Sequence, residues 1–290
     1  MRLSTTTGIT RNLFSHKETI KILADAGFDA YDISLTEMKP GSSSPFLKDT
    51  YLEYAKELRD FADSIGIVCN QAHAPFHSTS GDEKADAEMF RSIVRSMEVA
   101  AVMGADIIVV HPVQHLCYAE YREELFEMNV DFYNRLIPYG EKFGIKIATE
   151  NMWQWFSEEH TPSDSVCSRS KEFCALIDAI GSEWLTGCLD IGHASLMGAN
   201  IPEFIRTMGN SRLLSLHVHD TDLKSDLHTA PFMAKVDFIE VAAALKEIGY
   251  KGDFTFEAAN FTKAMPKEFI PTGVKFLCDI GKFLIAEIEK

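Results

Sequence analysis

Short apolar segments alternate with helical segments along the whole chain, and this repeat limits the fold more than any other feature of the sequence. Several helical segments end on a glycine that leads directly into the next apolar segment. These glycines are Gly27, Gly66, Gly104, Gly144 and Gly249. Glycine is the usual residue just after a helix, because the left-handed backbone there costs it little. The repeated strand–helix units predict parallel strands that are covered by helices.

The chain of 290 residues contains eight such units. Eight units at this length predict a closed (β/α)8 barrel, which needs about 250 residues, more strongly than an open doubly wound sheet. The number of strands alone leaves an open sheet as the alternative. No linker or low-complexity segment interrupts the chain, so we expect residues 1–290 to form a single domain. The connections at 38–48, 152–170 and 194–198 are predicted to be loops.

Composition limits the partners and the compartment. The formal net charge is −15 and the hydrophobic fraction is 46%. These values favour a globular protein and disfavour nucleic acid or an anionic membrane as the main partner. The N-terminus lacks the apolar core of a signal peptide, and no apolar run approaches the ~18 residues of a membrane span. The six cysteines form no CxxC pair, which is typical of thiols in a reducing cytoplasm, so we expect a cytoplasmic protein.

The last six predicted strands share one property: each closes on a side chain that can bind a metal ion. These residues are His73, His111, Glu150, Asp190, His217 and Glu257. Each position alone is more simply explained as structural, whereas six in succession indicate a site. Ring closure of a β/α barrel turns its strand ends toward one another. Converging carboxylates repel unless a cation or shared protons intervene, and a mixed histidine and carboxylate set suits Mn²⁺, Zn²⁺, Co²⁺ or Fe²⁺.

Further residues of ligand type lie in the loops after these strands. His193 follows Asp190 by three residues, and Asp226 and His228 lie in the loop after the strand that ends at His217. An Asp-x-His pair in a polar loop is a weak signal by itself. It gains weight here because His217 lies close upstream.

Short motifs recur at the strand ends in a fixed order. They are Ala72-His73-Ala74-Pro75, Val110-His111-Pro112, Thr149-Glu150-Asn151, Leu189-Asp190-Ile191-Gly192-His193, His217-Val218-His219-Asp220 and Thr255-Phe256-Glu257. Their order and spacing resemble the xylose-isomerase-like TIM barrels along essentially the whole chain. That superfamily includes sugar and sugar-phosphate isomerases and epimerases, inosose dehydratases and nucleases of the endonuclease IV type.

The resemblance implies a ligand set. In the isomerase and epimerase members one divalent metal is held by Glu, Asp, His and Glu, which correspond here to Glu150, Asp190, His217 and Glu257. It also implies that His193 contacts the substrate. In the endonuclease members three zinc ions use nine ligands. The five additional positions here are His73, His111, His193, Asp226 and His228. The number of bound metal ions, one, two or three, therefore stays open, and zinc or manganese is the favoured metal.

The resemblance further implies an enzyme, a metal-dependent isomerase or epimerase of a sugar, sugar phosphate or polyol. The metal would bind a carbonyl oxygen and a neighbouring hydroxyl, which lowers the pKa of the C–H bond between them and stabilises an enediolate. Glu150 and Glu257 would act as the acid/base pair, because a proton must leave and return. We expect the partner to be a small carbohydrate and not nucleic acid. Barrels of this family commonly associate, which leaves a homodimer open.

Some features depart from the family pattern. Ketose 3-epimerases of the family carry an arginine shortly after the strand-seven histidine, where this chain offers only Lys224. The nuclease members have basic loops, whereas residues 152–159 are aromatic and acidic. The candidate substrate contacts are His73, His193, Trp153 and Lys224. The candidates for stacking on a sugar ring are Trp153, Trp155 and Phe14, for which ordinary packing is an equally good explanation.

Two other enzyme classes stay open. One is an endonuclease IV-like zinc phosphodiesterase, against which the acidic charge argues, because binding of a phosphate backbone depends on Lys and Arg. The other is an inosose-type dehydratase, which would use the same metal to expel water after proton abstraction. A barrel that binds a ligand without chemistry is the weakest alternative, because the ligand set is complete.

Overall fold

The computed structural model describes residues 1–156 and 161–290, and its strands form one large sheet and one hairpin. The strands are β1 (Leu3–Thr6), β2 (Ala30–Ser34), β3 (Val68–His73), β4 (Ile107–Val109), β5 (Lys146–Glu150), β6 (Trp153–Phe156), β7 (Thr161–Asp164), β8 (Leu185–Asp190), β9 (Leu213–His217) and β10 (Phe254–Phe256). Strands β6 and β7 pair only with each other, and the remaining eight make the large sheet.

Helices follow the strands of the large sheet. They are α1 (His16–Ala26), α2 (Tyr51–Ser64), α3 (Glu83–Met103), α4 (Tyr118–Phe143), α5 (Ser170–Ile180), α6 (Ile191–Leu196), α7 (Ile201–Arg212), α8 (Phe238–Glu247) and α9 (Ile270–Glu289). Within the described ranges, none of these helices is both long enough and apolar enough to cross a bilayer.

The large sheet closes on itself. Its strands pair in the order β10-β1-β2-β3-β4-β5-β8-β9, and every pair is parallel. A parallel bridge between Val218 and Phe256 joins the two outer strands, and the Val218 amide donates to the Thr255 carbonyl at 2.9 Å. The predicted (β/α)8 TIM barrel is confirmed. Because all eight strands run the same way, their carboxyl ends open on one rim.

The predicted glycines do end helices. Gly27, Gly104 and Gly144 occupy the C-caps of α1, α3 and α4 with φ angles of 92°, 93° and 68°. Gly66 and Gly249 follow α2 and α8 and also have positive φ. Glycine adopts this left-handed region without the steric cost that a Cβ atom imposes.

Alternation along each strand divides its side chains between two cores. Leu3 and Phe256 point outward and pack beneath α9. Ser4 and Thr255 point into the barrel, where their hydroxyl groups hydrogen-bond at 2.7 Å. The interior also contains a small apolar cluster, made of Val109, Ala148 and Cys188. The barrel interior is therefore partly polar, and most of the apolar core lies between strands and helices.

Two predicted loops are in part regular elements, and the prediction is wrong there. Within 152–170, β6 and β7 form an antiparallel hairpin in which Trp153 pairs with Asp164; residues 157–160 of that prediction lie outside the described residues. Pro162 and Asp164 are uncommon in strands, which hid this hairpin in the sequence. Within 194–198, the residues through Leu196 belong to α6, which is too short to produce a periodic pattern.

Candidate metal centre

Four side chains predicted as metal ligands come together at the rim of the barrel. Glu150, Asp190 and His217 end β5, β8 and β9, and Glu257 directly follows β10. Each offers one ligand atom, and the four atoms all lie within 4.8 Å of one another. His217 Nδ1 is 2.8 Å from Glu150 Oε1 and 3.3 Å from Glu257 Oε2. We call these four residues the central group; their role as ligands stays a prediction.

Glu150 lies at the middle of the site and is fully buried. Burial raises the pKa of Glu150, but the imidazoles of His217 and His111 outweigh it and hold this pKa well below its ordinary value. Glu150 Oε1 accepts from His217, whereas Oε2 lies 3.0 Å from His111 Nε2 without a hydrogen bond of good geometry. An ionised oxygen that is buried without a hydrogen bond is costly. A divalent cation would offset that cost, so the residues present fit one.

Asp190 is held in place by the start of α6. Its Oδ1 accepts from the backbone N–H of His193 at 2.6 Å and so caps the helix. Asn151 supports the backbone of Asp190 from the neighbouring strand end. Its side-chain amide donates to the Asp190 carbonyl at 2.9 Å, and its side-chain oxygen accepts from the Asp190 amide at 2.7 Å.

His217 also has neighbours beneath the rim. Its Nε2 lies 3.5 Å from Oδ2 of Asp32, a fully buried residue of β2. Gln71 donates from Nε2 to the same Asp32 oxygen at 3.2 Å and accepts from the Ser215 hydroxyl at 2.6 Å. Burial lowers the pKa of His217, but Cys188 and the carboxylates of Glu257, Glu150 and Asp32 raise it well above its ordinary value.

A second set of possible ligands shares Glu150. His73 Nε2 and His111 Nε2 are 3.1 Å apart. Together with Glu150, these two histidines could hold an ion. His73 Nδ1 lies 2.8 Å from the carbonyl oxygen of Ala74. A carbonyl only accepts, so His73 carries its hydrogen on Nδ1 and presents a lone pair at Nε2, as a metal ligand must.

A third set lies on the other side of Asp190. It consists of His193, His219, Asp226 and His228, whose ligand atoms also lie within 4.8 Å of one another. His228 Nδ1 donates to the Glu257 carbonyl at 2.8 Å, and its Nε2 is 3.0 Å from Asp226 Oδ2. Asp226 Oδ1 is buried and accepts no hydrogen bond from the described residues. We call these four residues the distal group.

His219 is the member of the distal group that the sequence analysis missed. It lies two residues after His217, so strand alternation places the two side chains on the same face. This two-residue spacing is the signal from which His219 could have been predicted. Its Nε2 is 3.0 Å from Asp190 Oδ1 and 3.1 Å from Oδ2. Its ring stacks on His228 with centroids 3.9 Å apart. Gly192 makes room for it, because a Cβ atom on Gly192 would lie 1.9 Å from His219 Cε1.

A cavity of about 990 Å³ opens above these groups. Its floor includes His73, His193 and Glu257, and its walls include Trp153 and Trp155 of the hairpin. These candidate contacts are therefore brought together. Glu150, Asp190 and His217 lie buried below the floor.

Two candidate contacts lie elsewhere. Lys224 is exposed in the loop after β9 and is not among the described residues that line the cavity. Phe14 lines a separate cavity of about 330 Å³ near the ends of β1 and β2.

Comparison with known proteins agrees with this fold. The model of the xylose isomerase-like TIM barrel family matches residues 20–280. An uncharacterised protein of Methanocaldococcus jannaschii, MJ1311, is 28% identical over 92% of this chain and 86% of its own length. Fructoselysine 3-epimerase of Escherichia coli O157:H7 is 23% identical over 84% of this chain and 86% of its own length.

A solved structure of the IOLI protein with a binding zinc atom superimposes with a TM-score of 0.75 at 19% identity, over 97% of this chain and 98% of that one. This likeness establishes the shared fold. Because the family model spans most of the chain, the protein belongs to the xylose isomerase-like TIM barrel family.

Proposed function

We propose that the protein is a divalent-metal-dependent isomerase or epimerase of a carbohydrate. The observation that carries this proposal is the convergence of the central group, one ligand atom from each of Glu150, Asp190, His217 and Glu257, within 4.8 Å. The names of relatives such as fructoselysine 3-epimerase support the choice of reaction. A mixed set of nitrogen and oxygen ligands favours zinc or manganese.

The cation, when bound, supplies Lewis-acid polarisation of a carbonyl group and so acidifies the neighbouring C–H bond. The chain supplies the proton transfer. Glu257 lines the cavity floor and meets the substrate directly, with a side chain that is 18% exposed. Glu150 lies below it. In our proposal one of the two carboxylates removes the proton and the other returns it, which produces either an isomer or an epimer.

A second candidate function is a multi-metal phosphodiesterase of the endonuclease IV type. The presence of further ligand sets beside the central group favours it, namely His73 with His111 and the distal group. The net charge of −15 argues against it, because nucleic acid binding needs a basic surface. An inosose-type dehydratase shares the proton-abstraction step and differs only in losing a hydroxyl group afterwards.

One experiment separates these functions. The protein is loaded with Mn²⁺ or Zn²⁺ and incubated in D₂O with ketopentoses, ketohexoses, their phosphates and an inosose. We expect deuterium at a carbon next to the carbonyl, together with a new stereoisomer or aldose by NMR. A new alkene signal would assign the dehydratase reaction. In a parallel assay, cleavage of abasic-site DNA would assign the phosphodiesterase reaction. No exchange with any sugar would overturn the proposal.

The compartment and assembly stay predictions. All six cysteines are free thiols, which supports the reducing cytoplasm proposed for this chain. A homodimer can be tested by light scattering of the purified protein.

A further inference from the structure

The cavity above the central group is larger than one sugar ring needs. Its volume of about 990 Å³ is at the upper end of the ~300–1,000 Å³ range of sites that enclose drug-sized ligands. It runs from Glu257 on the floor to Trp155 on the hairpin. A lone pyranose at the floor would leave the outer part of this space to water.

The outer part is aromatic. The rings of Trp153 and Trp155 meet edge to face with centroids 4.8 Å apart, and Trp155 is 54% exposed. Phe76 and Met89 line the same cavity. An aromatic surface that is left in water gains stability when an apolar group covers it. An aromatic part of a ligand would cover these side chains more fully than the hydroxyl-lined edge of a second sugar ring would.

The cavity is also poor in groups that bind phosphate. Among the lining residues that the structure describes, Lys39 is the sole Lys or Arg, and its Nζ lies over the Phe76 ring at 5.0 Å. The amino end of α3 borders the cavity, but acidic side chains occupy it. Asp82 caps the helix, and Asp86 accepts from the Ser80 amide at 2.6 Å. Phosphate is usually bound by Arg, Lys or free helix N–H groups, so a sugar phosphate fits this cavity poorly.

We propose that the substrate is an uncharged keto sugar that carries an aromatic substituent, such as an aryl glycoside whose ring bears a ketone. The sugar lies against the floor at Glu257, and the aromatic substituent lies on Trp153 and Trp155. This inference rests on the proposed function only for the identity of the sugar half. The aromatic half rests on the cavity alone.

Binding can be tested without turnover, because the two glucosides used as probes carry no ketone. Calorimetry on the metal-loaded protein compares p-nitrophenyl β-D-glucoside, methyl β-D-glucoside, glucose and glucose 6-phosphate. We expect the aryl glycoside to bind at least tenfold more tightly than the methyl glycoside, and glucose 6-phosphate to bind no more tightly than glucose. Equal binding of the two glycosides, tightest binding of the phosphate, or no binding of any probe would overturn the inference.

Variants then locate the aromatic half. Trp153→Ala and Trp155→Ala should each weaken binding of the aryl glycoside more than binding of the methyl glycoside, and so remove most of the preference. Trp155 is largely exposed, so its variant should fold, which circular dichroism checks. Trp184→Phe is the matched control, because Trp184 precedes β8 at the opposite end of the barrel. Loss of the preference in Trp184→Phe, or its retention in both alanine variants, would contradict the assignment. A retained aryl preference, with no deuterium exchange into a keto sugar that carries an aromatic group, would refute the proposed function alone.

Discussion

The imidazole of His217 lies between two carboxylates, with Nδ1 2.8 Å from Glu150 Oε1 and Nε2 3.5 Å from Asp32 Oδ2. The second contact is longer than a good hydrogen bond, and it places a carboxylate behind the ring. If Nε2 keeps its hydrogen toward Asp32 and Nδ1 gives up its own when a cation binds, the lone pair of Nδ1 is directed at the central group. Carboxylates behind metal-binding histidines commonly fix the ring in this way.

We therefore expect Asp32→Asn to weaken metal binding. Loss of such an outer partner typically costs about 10–100-fold in metal affinity. The measurement is competition for Zn²⁺ against a chromophoric chelator. Asp178→Asn is the control, because Asp178 lies on the surface and pairs with Arg212. Unchanged affinity in Asp32→Asn would remove Asp32 from the site.

Glu150→Gln should abolish turnover and leave the fold intact. The amide keeps the shape of the side chain but cannot take up a proton, and loss of a general acid or base typically costs about 10²–10⁴-fold in rate. Deuterium exchange in D₂O measures the effect. Glu37→Gln serves as control, because Glu37 borders the separate cavity near Phe14. Full activity of Glu150→Gln would refute the proposed mechanism.

Gly192 and His219 should be coupled energetically. A Cβ atom at position 192 would occupy the space of the His219 ring, so Gly192→Ala should destabilise the fold by about 1–3 kcal/mol, as overpacking usually does. His219→Ala removes the ring and should make the same alanine tolerable. Urea unfolding of both single variants and the double variant measures this coupling. Additive losses in the double variant would show that the two sites are independent.

Metal binding should release protons near neutral pH. Burial lowers the pKa of His228, but the carboxylates of Asp226 and Glu257 raise it to about 9. This imidazole is therefore charged at pH 7 and must lose its proton before it can bind a metal at the distal group. Occupancy of that group should rise with pH up to about 9.

Calorimetry in buffers of different ionisation enthalpy counts the protons released when Zn²⁺ binds. His228→Ala should reduce that count, with His115→Ala as control, since His115 lies on the cavity wall. An unchanged count in His228→Ala would show that His228 does not take part.

Much of the site can be predicted from the sequence, because closure of eight parallel strands brings the strand ends together wherever they lie along the chain. Glu150 and His217 are 67 residues apart, yet the rule places them side by side. Asp32 was not predicted as a site residue, because it precedes the end of β2 by two residues and lies below the rim. His219 was not predicted because it lies beyond the end of β9. The hairpin was not predicted because pairing across the chain, and not local propensity, makes Pro162 part of a strand.

The polar interior beneath the rim has a consequence for redesign. Asp32, Gln71 and Ser215 lie one level below the central group, so moving only the rim residues onto another barrel would transplant the predicted ligands without the polar contacts beneath them. A transfer of this site to another barrel would need both the rim residues and the polar residues below them. The recipient barrel should therefore be chosen by the side chains that fill its interior below the rim.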